Sequence, residues 1–327
     1  MSATFKWGII GPGRIAQKFA AAIPFSHNGI LHAVASNDAG RAKAFAQQFG
    51  AKLWFQGYEA MLQAKEIDAV YVATPHPMHL EPVLLALQYK VPVLCEKPLA
   101  LSARQVNIMW EASKTNQTFL MEGMWTRFLP HIIAAKQMIA EGIIGEPTIY
   151  QADFGIMIPF NAEGRHFNMA LGGGAVIDIG IYPLFMGMYL FGQPEACQGF
   201  ATKSPTGSDA SLVLSMRFQH GVLGSIYASY QAHGRVVAEV AGTKGRLKLH
   251  SHWFRPSSIE VFDEKGQGKL YNFAEPSNGF QYEMNEVEQC VKAGAIESDA
   301  YPLAFSYQLA EVIDKLRHSF GVHYEGE

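Results

Sequence analysis

The sequence predicts a two-domain α/β protein: a doubly wound parallel sheet over residues 1–122, then an α/β domain with an open, mainly antiparallel sheet over 123–327. Three observations predict it. Short β-branched runs alternate with helical periods as far as about residue 121, strand follows strand from about residue 148, and a chain of 327 residues exceeds the usual size of one compact domain. A hydrophobic fraction of 49% supplies a core for each part.

In the first part "FKWGII" precedes a helical period over 14–22, "LHAVAS" one over 41–49, "DAVYVAT" one over 78–89 and "VPVLCE" one over 102–115, before "TFLM". Repeated βαβ units of this kind build a parallel sheet covered by helices on both faces. The rhythm changes near "EGMWTRFLP". Beyond it "TIYQADFG", "SLVLSMRFQ", "GVLGSIYASY", "VVAEVAG", "GRLKLHS", "SIEVFD" and "KLYNFA" alternate with period two. Links such as "QHG" and "GTKG" make their sheet mostly antiparallel. A helix over 177–190 interrupts them, and helices over 280–293 and 302–319 close the chain. No repeat, low-complexity segment or long linker separates the parts.

Charge and cysteine usage narrow the class. A net charge of -3, from 26 basic and 29 acidic residues with no basic cluster, gives no footprint for nucleic acid or an anionic membrane. The opening "MSATFKWGIIGPG" leaves no room for a charged and then apolar leader, and no apolar run reaches the length of a membrane span. Cys95, Cys197 and Cys290 are odd in number, far apart and free of CxxC spacing, so neither a disulfide framework nor a zinc site is indicated. These readings predict a soluble protein of a reducing cytoplasm whose partner is a small molecule.

The motifs say which molecule. In "WGIIGPGRIA" Gly11 and Gly13 directly follow the first strand, Arg14 and Ile15 open the helix, and Ala16 takes the third small position of G-x-G-x-x-G/A. A tight turn, a backbone open to close approach and an uncapped helix N-terminus together suit a pyrophosphate, the signature of a dinucleotide-binding Rossmann domain. An ordinary glycine turn is the alternative, and the βαβ context argues against it. At the end of the second strand, where the adenosine ribose would lie, "AVASNDAGR" offers neutral Ser36 and Asn37, acidic Asp38 and basic Arg41. Arg41 either meets the 2′-phosphate of NADP or is simply solvated.

"ATPHPMHLEP" brings Thr74, Pro75, His76 and His79 to the carboxyl end of the sheet, where open α/β sheets bind ligands. His79 falls in a helix's first turn, whose dipole disfavours imidazolium. No Cys or carboxylate stands by to make His76 and His79 a metal site, so no metal is expected. Capping and packing remain open for His76. "VLCEKPLA" ends a buried strand in Glu96 and Lys97, charges that are costly to bury unless paired or used. In "LGGGAVIDIGIYPLFMGMYLFG" Asp178 and Tyr182 stand four apart, on one face of a helix preceded by three glycines. Spacing alone equally suits Tyr182 as a core aromatic.

Taken in order, "GPGRIA", "TPHPMH", "CEKPLA" and "GGGAVIDIGIY" resemble the glucose-fructose oxidoreductase, inositol dehydrogenase and rhizopine catabolism (Gfo/Idh/MocA) family over essentially the whole chain. Tyr182, where many members carry His, together with "EGMWTRFLP", resembles the branch of dimeric trans-dihydrodiol dehydrogenases and NADP-linked D-xylose dehydrogenases. The resemblance implies NAD(P)-dependent oxidation of a secondary alcohol in a cyclic diol or sugar, with NADP slightly favoured because Arg41 matches while Asn37 replaces a basic residue. It implies a cis Lys97–Pro98 peptide, Lys97 donating to the reacting hydroxyl, Glu96 holding the strand end, Tyr182 as acid/base and Asp178 as auxiliary. An ammonium about 4 Å from a phenol at an effective dielectric of ~20 is worth roughly 4 kcal/mol, enough to offset the roughly 3 units by which a free Tyr is too weak a base. Trp125, Arg127, Phe154 and Phe160, with Trp253 and Phe280 behind them, are expected to wall the substrate cleft, though each also suits a core. A homodimer through the broad sheet face is expected. A nucleotide sensor without turnover, or a glycoside hydrolase using NAD, are the alternatives.

Overall fold

The computed structural model describes residues 4–327, which divide into two compact units, one of residues 4–125 with 276–307 and the other of residues 126–275 with 308–327. Segment 276–307 thus packs with the first unit, whereas the sequence reading assigned all of 123–327 to the second domain.

In the first unit β1 (Phe5–Ile10), α1 (Arg14–Ala22), β2 (Gly29–Ser36), α2 (Ala39–Phe49), β3 (Leu53–Gln56), α3 (Tyr58–Gln63), β4 (Ala69–Val72), α4 (Leu80–Gln88), β5 (Val93–Glu96), α5 (Ala103–Asn116) and β6 (Leu120–Gly123) form a parallel sheet in the order β3-β2-β1-β4-β5-β6. This is the doubly wound order, with its switch point between β1 and β4. β1, β4 and β5 are apolar almost throughout because helices cover both faces. β3, with the half-exposed pattern of an edge, and α3 have no counterpart in the sequence reading.

The second unit holds α6 (Pro130–Ala140), β7 (Pro147–Gly155), α7 (Ile181–Phe191), β8 (Ala196–Lys203), β9 (Asp209–Arg217), β10 (Leu223–Ser229), β11 (Ala238–Gly242), β12 (Gly245–Leu249), β13 (Ile259–Asp263) and β14 (Gly268–Tyr271). Its sheet runs β14-β13-β12-β11-β7-β10-β9-β8, with only the β7–β10 pair parallel. α7 lies on the buried face, where the Tyr150 hydroxyl donates to the Pro183 carbonyl at 2.7 Å. α8 (Phe280–Lys292) returns to the first unit, and α9 (Leu303–Ser319) closes the chain.

Residues 169–191 are long and apolar enough by composition to cross a membrane, but the segment is interrupted at Gly172–Gly174 and 83% of its most apolar window is buried inside the protein. Its apolarity is that of a core helix packed on a sheet.

Candidate active site

At the switch point of the first unit Gly11 holds φ +84°, and a Cβ there would lie 2.9 Å from the Thr74 amide nitrogen. Only glycine lets the β1 and β4 loops close on each other in this way. Gly13 stands at the N-cap of α1 without a side-chain cap, so the first N–H groups, among them those of Arg14 and Ile15, remain for an anion. The turn, the close approach and the uncapped terminus fit a dinucleotide pyrophosphate.

At the end of β2 the buried Ser36 hydroxyl accepts from the Asp38 amide at 3.2 Å, and the Asp38 carboxylate caps α2 by accepting from the Arg41 amide at 2.9 Å. Asp38 is thereby engaged as a cap, leaving Asn37 and the Arg41 side chain exposed at the strand end. Thr74 is likewise engaged, its hydroxyl donating to the Met78 carbonyl at 2.9 Å, while Pro75 is exposed and His76 is buried with its ring 5.9 Å from that of His79.

His79 is neutral, in keeping with the expectation that imidazolium is disfavoured there. It is fully buried, with Nε2 2.9 Å from the Thr74 carbonyl and Nδ1 2.9 and 3.3 Å from those of Pro98 and Leu99. Burial, more strongly than those carbonyls oppose it, lowers its pKa, so a neutral ring carries one N–H for one side or the other. Both ring nitrogens face backbone, and the ring ties the β4 loop to the Lys97 turn.

The Lys97–Pro98 peptide is cis, as the resemblance implies. Its turn is braced from several sides. The Leu99 amide donates to Glu122 at 2.9 Å, Glu122 accepts from the Tyr301 hydroxyl at 3.1 Å, and Tyr71 donates to Glu96 from the neighbouring strand. Burial raises the pKa of Glu122, against a smaller opposing pull from Lys97. From α8 the fully buried Glu283 is pushed well above the carboxylate range, first by burial and then by Glu96. Lys97 is therefore held in a rigid turn, 9% exposed, with carboxyl groups behind it.

The second unit carries the other candidates. Asp178 lies in a single π-helical turn (Val176–Gly180) that leads into α7, a helix defect frequent at functional sites. Ahead of it Gly174 has φ +155°, and a Cβ there would meet Asp209 at 2.6 Å and the Tyr324 hydroxyl at 2.9 Å. The helix start has no cap of its own. Asp209 supplies one by accepting from the Val176 amide at 2.6 Å, and the Tyr324 hydroxyl donates to the Gly173 carbonyl at 3.0 Å.

Asp178 and Tyr182 are 6% and 7% exposed. One Asp178 oxygen accepts from the Tyr230 hydroxyl at 2.7 Å and from Arg165 at 3.1 Å. Tyr182 sits among aromatic rings, 5.5 Å from Phe154 and 5.2 Å from Phe254, which stack on each other at 4.4 Å. Phe154 and Phe254 thus both pack against the Tyr182 ring. Phe160, half exposed, packs on Phe167. Arg127 lies over Tyr189, two helical turns beyond Tyr182, and Trp125 stacks on Phe280 at 4.6 Å in the first unit. Trp253 is fully buried.

Three neighbours of this centre were not singled out from the sequence. Tyr230 had a signal, since period two in "GSIYASY" puts it on the buried face with Ile226 and Ala228. Phe254 is adjacent to the named Trp253. Arg165 stands in an irregular loop, where periodicity carries no information.

Comparison with known proteins agrees with this architecture. Residues 5–124 match the GFO/IDH/MocA oxidoreductase family, NAD-binding Rossmann fold, and residues 132–248 match the GFO/IDH/MocA C-terminal domain. The chain is 33% identical over 330 residues to trans-1,2-dihydrobenzene-1,2-diol dehydrogenase of Mus musculus and 32% identical over 332 residues to that of Homo sapiens, in each case spanning 98% of both proteins. In fold it is similar to an aldose-aldose oxidoreductase from Caulobacter crescentus complexed with glycerol, with a TM-score of 0.88, 22% identity and 98% of both chains covered. A levoglucosan dehydrogenase in complex with NADH and levoglucosan shares the fold at a TM-score of 0.87, with 22% identity and 98% of both chains covered. With both family domains present in order and relatives matching from end to end, the chain belongs to the Gfo/Idh/MocA family of oxidoreductases.

Proposed function

We propose that this oxidoreductase interconverts a secondary alcohol of a cyclic diol or sugar ring with the corresponding carbonyl, using Tyr182 as acid/base, Lys97 as the cation that polarises the reacting oxygen and Asp178 as auxiliary. The observation that carries the proposal is the pair Asp178 and Tyr182, buried together at a helix start among Phe154 and Phe254, in a chain related over its full length to trans-dihydrodiol dehydrogenases. Aromatic faces suit a ring carrying hydroxyls.

Nicotinamide, when bound, supplies the two-electron acceptor. The protein's part is proton handling. Tyr182 takes the hydroxyl proton as the carbonyl forms, Lys97 lowers the proton affinity of that phenol and stabilises the alkoxide, and Asp178 receives or steadies the proton through its hydrogen-bonded network. Gly11, Gly13, Arg14 and Ile15 would hold the pyrophosphate, and Ser36, Asn37 and Arg41 the adenosine ribose. The exposed Arg41 and the capping use of Asp38 support NADP over NAD.

The three cysteines are free thiols, which fits a reducing cytoplasm. Homodimerisation through the outer face of the second sheet belongs to the same proposal, supported by the exposed Phe200, Val213 and Leu223.

The test is nicotinamide absorbance with NADP or NAD and a panel of trans-dihydrodiols, D-xylose, D-glucose and inositol. Wild type should turn over one class with higher kcat/KM for NADP, and Tyr182→Phe should bind cofactor normally but lose at least about a hundredfold in kcat. Unchanged turnover in Tyr182→Phe would overturn the assignment, and binding without turnover across the panel would favour a sensor.

A further inference from the structure

Arg165 reaches the acid/base centre from the loop between β7 and α7. Its Nη2 lies 3.1 and 3.5 Å from the two oxygens of Asp178, and the charge of Asp178 is the main reason its pKa is raised, with Tyr182 also contributing. Asp178 is nearly buried, but the Arg165 side chain is 47% exposed. The guanidinium therefore holds the carboxylate through Nη2 while about half of the side chain stays open to solvent.

We propose that Arg165 is a substrate-binding, specificity-determining residue that donates to the hydroxyl on the carbon next to the one oxidised, so that the enzyme selects vicinal diols over isolated alcohols. This rests on the assignment of Tyr182 as acid/base, because Arg165 is held on Asp178, four residues before that phenol where the π turn leads into α7, and this sets which substrate oxygen it can reach. Vicinal oxygens sit on carbons joined by one bond, which suits a base and a donor fork held about one helical turn apart through Asp178.

The charge balance selects the class further. Asp178 neutralises Arg165, so the pair attracts no net anion, and a substrate carboxylate brought to the fork would also meet the carboxylate of Asp178. A neutral hydroxyl, which can accept from the guanidinium without a second negative charge, fits. The Tyr230 hydroxyl on Asp178 keeps the carboxylate oriented when the fork engages substrate.

The experiment compares kcat/KM for trans-cyclohexane-1,2-diol with that for cyclohexanol in wild type, Arg165→Met, Arg165→Lys and Tyr182→Phe. In wild type the diol should be preferred. Arg165→Met should shrink that preference by at least about tenfold, because a site built to donate to a hydroxyl discriminates strongly against the analogue lacking it. Arg165→Lys should fall between, and Tyr182→Phe should lower both substrates alike. If Arg165→Met slows both substrates in the same proportion, Arg165 only holds Asp178 and the proposal is overturned. Should that variant turn over too slowly, the ratio of dissociation constants for diol and monoalcohol with reduced cofactor present decides the same question. Wild type inactive on both compounds would sink the acid/base reading itself, and this proposal with it.

Discussion

Asp209 shows how much one buried carboxyl can decide. It is completely buried, and burial raises its pKa to about 6 even though the Val176 amide and Arg317 pull it down. The folded protein therefore binds a proton that the unfolded chain, with Asp near about 3.9, has released. Stability from this group is complete below about pH 4 and is lost as pH rises through about 6. In Asp209→Asn that loss should vanish: between pH 4 and 6.5 wild type should lose about 2–3 kcal/mol of stability relative to the variant, read as a falling difference in melting temperature. Parallel curves across that range would show that Asp209 titrates normally. Nothing in the sequence announced this residue, since an Asp at a strand start reads as a turn signal. His79 teaches the converse: the loop that carries it was legible, but not that its ring nitrogens would meet three backbone carbonyls.

Elements were legible where periodicity is strong. The helix expected over 14–22 is α1 without change, and those expected near 280–293 and 302–319 are α8 and α9. Misses fall on short or marginal segments, among them β3, whose four residues are half exposed, and the edge strand β8. The helix read over 177–190 is a π turn followed by α7, a distinction that apolar period cannot carry. α8 illustrates what tertiary packing adds. Phe280, 1% exposed, meets Phe19 edge to face and stacks under Trp125, so it anchors α8 to the first unit. Phe280→Ala should cost about 3–5 kcal/mol, read as a lowered urea midpoint at unchanged slope. A loss below about 1 kcal/mol would mean that the neighbouring rings collapse into the space.

For the whole molecule, the doubly wound order followed from βαβ repetition, whereas the return of residues 276–307 to the first unit did not. That return rests on contacts such as Trp7 to Glu288 and the His27 amide to Asn285, 281 and 258 residues apart, which no local pattern encodes. The outer face of the second sheet is the remaining feature at this scale. Phe200 pairs across strands with Val213, and Leu223 with Ile149, and these four side chains are 82%, 55%, 50% and 39% exposed. Serines and Arg217 interleave them, so the face is only partly apolar, as the alternation in "SLVLSMRF" suggests. Apolar side chains clustered on one sheet face favour burial against a second copy, and a two-fold axis would let the same patch serve both subunits. Each large apolar side chain buried there contributes roughly 1.5–3 kcal/mol, so aspartate at two of them should move the equilibrium by more than a hundredfold. Sedimentation velocity should find wild type as a dimer at micromolar concentration and the double variant Phe200→Asp, Val213→Asp as a folded monomer. A wild type that sediments as a monomer, or a variant that remains dimeric, would place any self-association elsewhere on the molecule.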